Sequence, residues 1–412
     1  MNSLTIPNRE DDCGSLFLAG ERPWIRSLPL LAVLISAAVY AAHFFLGGGV
    51  NHRILDSWAY LGMAAGEQAA VPFDTRIGTP FLSALITAAT GLSPSAAFKL
   101  ITPTALLASL LILRRLIRRR GGSAEWQAAV LLAFGCSLAV TFGYTPILVD
   151  PTLLLLTCLT IAALDAGYLP AALALACIAA LTKEFGLILG PIWSIYAYRQ
   201  GFRKFACAGL IVPVAALLIV LFARQSSAGV GFPGWSTFAS HLVFEYQLSV
   251  FRQRGPGDYA KLVYMWSWCA IWPVFFISTS NILSRFMKRA QVSADQIGFA
   301  VLLASLPVLL LGDWSRNLII LVPLVCIVAT AHPLARDRRF ALLLAVGGIS
   351  TALARPFHSE TPPPYLLTLV MTIVSVASSV AIGMILVRYA HSSAAKELDS
   401  GLRRTAGEVA IQ

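Results

Sequence analysis

Apolar runs follow one another along almost the whole chain, and no other feature restricts the fold as much. Twelve stand out between short polar segments, at about 28–46, 97–117, 124–142, 148–164, 168–182, 185–198, 205–223, 262–283, 296–311, 317–331, 340–354 and 365–389. In hydrocarbon each backbone N–H and C=O must bond within its own segment, so runs of this kind become helices. Composition agrees: 57 % of the 412 residues are hydrophobic and 12 % charged, where a soluble domain carries roughly 25 % charged residues. The expected fold class is an all-α polytopic membrane protein with about 12 transmembrane helices. Two longer outer loops, about 47–96 and 224–261, are expected to carry short interfacial helices. Residues 1–27 and 392–412 read as cytoplasmic tails around a transmembrane domain, 28–391, that holds the activity.

The net charge of +11 is informative through its location rather than its size, and it is not read as a nucleic-acid signal. Glu10, Asp11 and Asp12 precede the first apolar run, which does not fit a cleaved signal peptide. Six of the seven cysteines (Cys136, Cys158, Cys177, Cys207, Cys269, Cys326) lie in or beside apolar runs, Cys13 lies in the tail, and no CxxC occurs. They read as small buried hydrophobes, with neither disulfides nor a thiolate metal site expected.

The stretch 180-ALTKEFGLILGP-191 sets Lys183 and Glu184 between two short runs. Two readings compete: one long helix with a charged centre, or a hairpin with the charges at its tip. Charge bias chooses the hairpin. With it, the inner side receives Arg9, Arg22 and Arg26, the Arg114–Arg120 cluster, Arg199, Arg203 and Lys204, Arg285, Lys288 and Arg289, Arg336, Arg338 and Arg339, and Arg388, Lys396, Arg403 and Arg404. That is 21 of the 31 Lys and Arg residues. A single helix would export three of these groups, against the positive-inside rule. Both termini are then cytoplasmic, and the Lys183–Glu184 tip lies outside, where it is expected to line a water-filled cavity.

The hairpin also sorts the chemistry-bearing residues, most of which fall outside. The first outer loop, 55-LDSWAYLGMAAGEQAAVPFDTRIGTPFLSALI-86, holds Asp56, Asp74 and Arg76. A carboxylate here can take a proton from a sugar hydroxyl, and an Arg can hold a phosphate in a bidentate fork. Alternatively Asp56 caps a loop helix, with Trp58 and Tyr60 anchored at the interface; Tyr60 is also a candidate for the site. In 144-YTPILVDPTLL-154, Asp150 either caps a helix that opens with Pro151 or lines the cavity. In 311-LGDWSRNLIILVP-323, Arg316 either pairs with Asp313 or binds phosphate. Weaker candidates are Arg355 and His358 in 354-ARPFHSETPPPY-365. His241 and Glu245 would share a face of an interfacial helix over 236–251, but two ligands do not make a metal site.

In this order and on this side, the motifs resemble the GT-C superfamily of membrane glycosyltransferases. Asp56 lies in LDSWAY, Arg76 in FDTRIGTPFL, Lys183 and Glu184 in LTKEFGLILGP, and Asp313 and Arg316 in GDWSRNLIILVP, together spanning roughly 28–331. The resemblance implies a sugar donor linked to polyprenyl phosphate, entering from the outer leaflet of a bacterial-type inner membrane. The acceptor would be a glycan, a lipid or a protein. Asp56 would be the base, one of Arg76, Lys183 and Arg316 would hold the leaving phosphate, and Glu184 would orient Lys183. No nucleotide or other cofactor is implied, and a divalent metal stays open. Two other readings remain: a 12-span secondary transporter, or a lipid-linked polysaccharide polymerase or ligase. A carrier would more often show mid-membrane charges and two similar halves.

Overall fold

The structure is a computed structural model, and it describes residues 23–46, 55–67, 69, 73, 76–228, 272–287, 293–304, 322–354, 369–371, 373–389 and 392. Every regular element among them is helical. In chain order the helices are α1 (Pro23–Leu46), α2 (Leu55–Ala64), α3 (Gly78–Thr90), α4 (Pro94–Arg119), α5 (Ala124–Tyr144), α6 (Asp150–Asp165), α7 (Leu169–Thr182), α8 (Leu189–Arg199), α9 (Ala208–Ala228), α10 (Trp272–Met287), α11 (Ala294–Ala304), α12 (Val322–Thr330), α13 (Arg338–Ala354) and α14 (Leu369–Tyr389). Single 3₁₀ turns cover Glu184–Ile188, Arg203–Phe205 and Pro333–Arg336.

Among the described residues, five helices are long and apolar enough to cross a bilayer: Trp24–Phe45, Pro94–Arg119, Ala124–Gly143, Arg203–Val220 and Leu369–Tyr389. The first expected loop does carry two short helices, α2 and α3. The expected interfacial helix over 236–251 lies outside the described residues.

Helix α5 is the axis of the bundle. Of its spanning window 83 % is buried, against 28 % in the α1 window, 17 % in that of α9 and 24 % in that of α14, so the last three turn most of their surface outward. Lipid is as apolar as leucine, so such helices associate through close packing rather than hydrophobic burial. Small residues make that contact possible. A Cβ on Gly135 of α5 would stand 2.3 Å from Ser36 Oγ of α1, and one on Gly348 of α13 would stand 2.4 Å from Ala133 Cα of α5.

Helices α6, α7 and α8 have 16, 14 and 11 residues. At about 1.5 Å per residue they fall short of the roughly 30 Å hydrocarbon core. Helices α7 and α8 run back on each other: the Trp193 indole, midway along α8, donates to the Leu169 carbonyl at the start of α7, at 2.8 Å. The chain therefore makes the hairpin, not one long helix.

At the far end from the hairpin tip, an ion network joins four helix ends. Arg120 Nη1 reaches Asp165 Oδ1 at 2.6 Å and its Nε donates to Asp295 Oδ2 at 2.9 Å, while Arg119 Nη1 reaches Asp165 Oδ2 at 3.0 Å. The Tyr196 hydroxyl donates to Asp295. The ends of α4, α6 and α8 and the start of α11 thus share one side, the arginine end.

Candidate functional site

At the opposite end, four segments converge. Asp150 opens α6, where a carboxylate suits the positive helix N-terminus, and Lys183 follows the last residue of α7, where a cation suits the negative C-terminus. The Lys183 ammonium reaches Asp150 Oδ1 at 2.6 Å, with the two side chains 2 % and 1 % exposed. Burying a charge is costly unless it is paired, and this pairing is what permits Lys183 at such depth. The ammonium also lies 5.6 Å from the Phe185 ring centroid.

Glu184 faces elsewhere. It accepts from Arg76 Nε at 2.9 Å and from Arg76 Nη2 at 2.6 Å, a two-pronged fork, while Arg76 Nη1 donates to the Tyr60 hydroxyl at 3.0 Å. Burial opposes both charges. For Arg76, the charge of Glu184 and the hydrogen bonds it donates to Glu184 and Tyr60 prevail, so the guanidinium is held well above its ordinary range. For Glu184, Arg76's charge and hydrogen bonds prevail over burial, and the carboxyl is held below its ordinary range. The Phe73 ring packs edge-on to Tyr60 and lies 5.6 Å from the Arg76 guanidinium carbon.

Small residues draw these segments together. A Cβ on Gly78 would stand 2.3 Å from Thr182 Oγ1 and 3.1 Å from its Cα, so the start of α3 sits directly on the end of α7. Ser57 of α2 donates to the Ile147 carbonyl at 3.1 Å, and Thr102 of α4 donates to the Pro146 carbonyl at 2.6 Å. These bonds tie α2 and α4 to the segment that leads into Asp150. Asp56 lies in the first turn of α2, partly exposed, one helical turn before Tyr60 and on the same face.

Five candidates therefore come together, Tyr60, Arg76, Asp150, Lys183 and Glu184, with Asp56 on the adjoining helix turn. Four expectations change. Tyr60 is not an interface anchor: it is fully buried, whereas Trp58 is 58 % exposed. Asp150 is not the N-cap, a position held by Val149; its carboxylate serves Lys183. Glu184 does not orient Lys183 but holds Arg76, because Lys183 is extended (φ −159°, ψ 139°) and adjacent side chains then point to opposite sides. Lys183 does not line open water, being buried against Asp150. Asp74, His241, Glu245, Asp313, Arg316, Arg355 and His358 lie outside the described residues.

Phe73, Phe185, Gly78 and Thr182 were not candidates on sequence grounds. The available signal was local: an aromatic two or three residues from each cation, and a Gly-Thr-Pro that begins two residues after Arg76. No three His, Cys, Asp or Glu side chains gather as a metal-binding group among the described residues.

No protein-family model, no curated protein and no solved structure matches the chain. Fold and site define an all-helical protein with several long apolar helices suited to a bilayer and a paired-charge cluster at one end of its helix bundle.

Proposed function

We propose that this chain is a twelve-span GT-C-type glycosyltransferase of a bacterial-type inner membrane. It takes a sugar from a polyprenyl-phosphate donor on the outer face and passes it to a glycan, lipid or protein acceptor. The observation that carries the reading is the convergence, at one end, of Tyr60, Arg76, Asp150, Lys183 and Glu184 from segments far apart in the chain, with Asp56 beside them.

In this reading Asp56 is the general base. It lies partly exposed in the first turn of α2, one helical turn before Tyr60. It removes the proton of the acceptor hydroxyl as that oxygen attacks the anomeric carbon. The bond from that carbon to the phosphate oxygen breaks, and polyprenyl phosphate leaves with the electron pair. Arg76 and Lys183 are engaged by Glu184 and Asp150 and form the frame. The growing phosphate charge then falls to Arg316, with Asp313 beside it in sequence.

Asp56→Asn keeps the shape and removes the base, so turnover of a polyprenyl-phosphate sugar by the purified protein should fall roughly 10²–10⁴-fold. Donor binding should persist. Wild-type turnover in Asp56→Asn would remove Asp56 from the reaction.

One observation favours a second reading, a secondary transporter: the buried Lys183–Asp150 pair is of the kind that carriers place in their ion pathways. Solute uptake by proteoliposomes, with no consumption of any polyprenyl-phosphate sugar, would select it.

A further inference from the structure

At the arginine end, the turn between α8 and α9 has no role in the site. Its residues 198-YRQGFRKF-205 are exposed without a break. Tyr198 is 53 %, Phe202 51 % and Phe205 66 % exposed. The same eight residues carry Arg199, Arg203 and Lys204 and no acidic residue. Arg203 lies over the Tyr198 ring, its guanidinium carbon 5.1 Å from the centroid.

The turn is held in shape by its backbone. The Phe202 N–H bonds the Ala197 carbonyl at 2.9 Å and the Gly201 N–H bonds the Tyr198 carbonyl at 3.2 Å, the paired bonds of a helix closed by a left-handed residue. Gly201 takes that conformation, with φ +91°. From Arg203 onward the chain enters an apolar window that is only 17 % buried, and Leu210, Ile211, Val214, Leu218 and Ile219 are exposed along it. A rigid loop of cations and aromatic rings thus stands at the foot of a helix whose apolar face is open to lipid.

We infer that the α8–α9 turn is a docking site for an anionic phospholipid headgroup in the leaflet at the arginine end. Phe202 and Phe205 enter the headgroup–acyl boundary, where aromatic rings are favoured. Arg203 and Lys204 meet the phosphate, and the acyl chains lie along the open face of α9. Charge complementarity selects an anionic lipid over a zwitterionic one, because the turn offers cations and no carboxylate. This assignment needs the α9 span but not the glycosyltransferase reading.

The test uses the full chain in detergent, titrated with dioleoyl-phosphatidylglycerol or dioleoyl-phosphatidylcholine, with bound lipid counted by native mass spectrometry. Wild type should retain phosphatidylglycerol in preference. Each basic residue near an anionic surface contributes about fivefold in affinity, so R203Q/K204Q should lose roughly twenty-five-fold toward phosphatidylglycerol and little toward phosphatidylcholine. F202S/F205S should weaken both lipids. R336Q/R339Q, which removes two charges at another point of the chain, should leave the preference in place. Equal retention of both lipids by wild type would overturn the proposal. So would an equal loss in R336Q/R339Q, or displacement of the lipid by millimolar inorganic phosphate, which would mark a free-anion site. Unchanged helix content in all variants, read by circular dichroism, shows that the differences in lipid retention do not come from unfolding.

Discussion

Lys183 and Glu184 are neighbours in sequence, yet each owes its place to a different partner far along the chain. Lys183 is buried because Asp150 accepts its charge; Glu184 is ionised because Arg76 clamps it. Breaking a buried pair by removing one partner costs about 3–5 kcal/mol, whereas replacing both by apolar groups of similar size is often neutral. Lys183→Met and Asp150→Leu should therefore each lower resistance to unfolding in sodium dodecyl sulfate by that amount, and the double variant should recover most of the loss. Strictly additive losses in the double variant would show that the two side chains do not depend on each other. Activity separates frame from chemistry: a folded double variant that still turns over donor assigns the pair to the frame.

At the scale of elements, the hairpin depends on a contact that leaves no room for a side chain. A Cβ on Gly186 would stand 2.3 Å from both the carbonyl carbon and the oxygen of Ala179 and 2.6 Å from Ala180 N, all backbone atoms that cannot rotate away. Gly186→Ala should lift the Glu184–Ile188 turn off α7, loosen the Arg76–Glu184 fork, and destabilise by about 1–3 kcal/mol, the usual cost of overpacking. Gly298→Ala in α11 is the control, since the nearest atoms lie 3.6 Å away on Ile192; thermal unfolding of the two variants compares them directly.

His332 supplies a pH-dependent joint between α12 and α13. Its Nδ1 accepts from the Leu334 N–H at 3.3 Å and its ring packs on Tyr389 with centroids 5.1 Å apart. Burial lowers the imidazole pKa from 6.5 to about 4. Between those values the unfolded chain binds a proton that the folded chain refuses, so stability falls as the pH drops through that window. His332→Asn keeps a capping acceptor and removes the titration. Its melting temperature should fall less than that of wild type between about pH 7 and pH 5, the two limits spanning the upper part of that window. Identical pH dependence in both proteins would exclude His332 as the source.

At the scale of the whole molecule, two polar clusters mark opposite ends of the bundle. Arg120, Asp165, Tyr196 and Asp295 meet at one, and Tyr60, Arg76, Asp150, Lys183 and Glu184 at the other. In the proposed orientation the first faces the cytoplasm, as the positive-inside rule expects of the arginine-rich end. Leu92, 40 % exposed in the turn between α3 and α4, and Cys207, exposed beyond α8, report on the two ends. With the other cysteines replaced, an impermeant maleimide should label Leu92→Cys in intact cells and Cys207 only after permeabilisation. The reverse pattern would invert the orientation and place the paired-charge cluster inside.

The helical class, the position of most helices and the turn-back at Lys183–Glu184 were legible in the sequence. Apolar runs in hydrocarbon leave the backbone no alternative to helix, and the arginine bias penalises a long charged helix. Asp56, Tyr60, Arg76, Asp150, Lys183 and Glu184 were legible as candidates for the same reason, being polar groups the bilayer does not tolerate idly. Their pairing was not. Which carboxylate meets which cation depends on the extended conformation at Lys183, on the contact of Gly78 with Thr182, and on Tyr60 turning inward to Arg76. Those are distances between segments up to 108 residues apart, and only the packing of α3 on α7 and of α2 on the segment before α6 decides them.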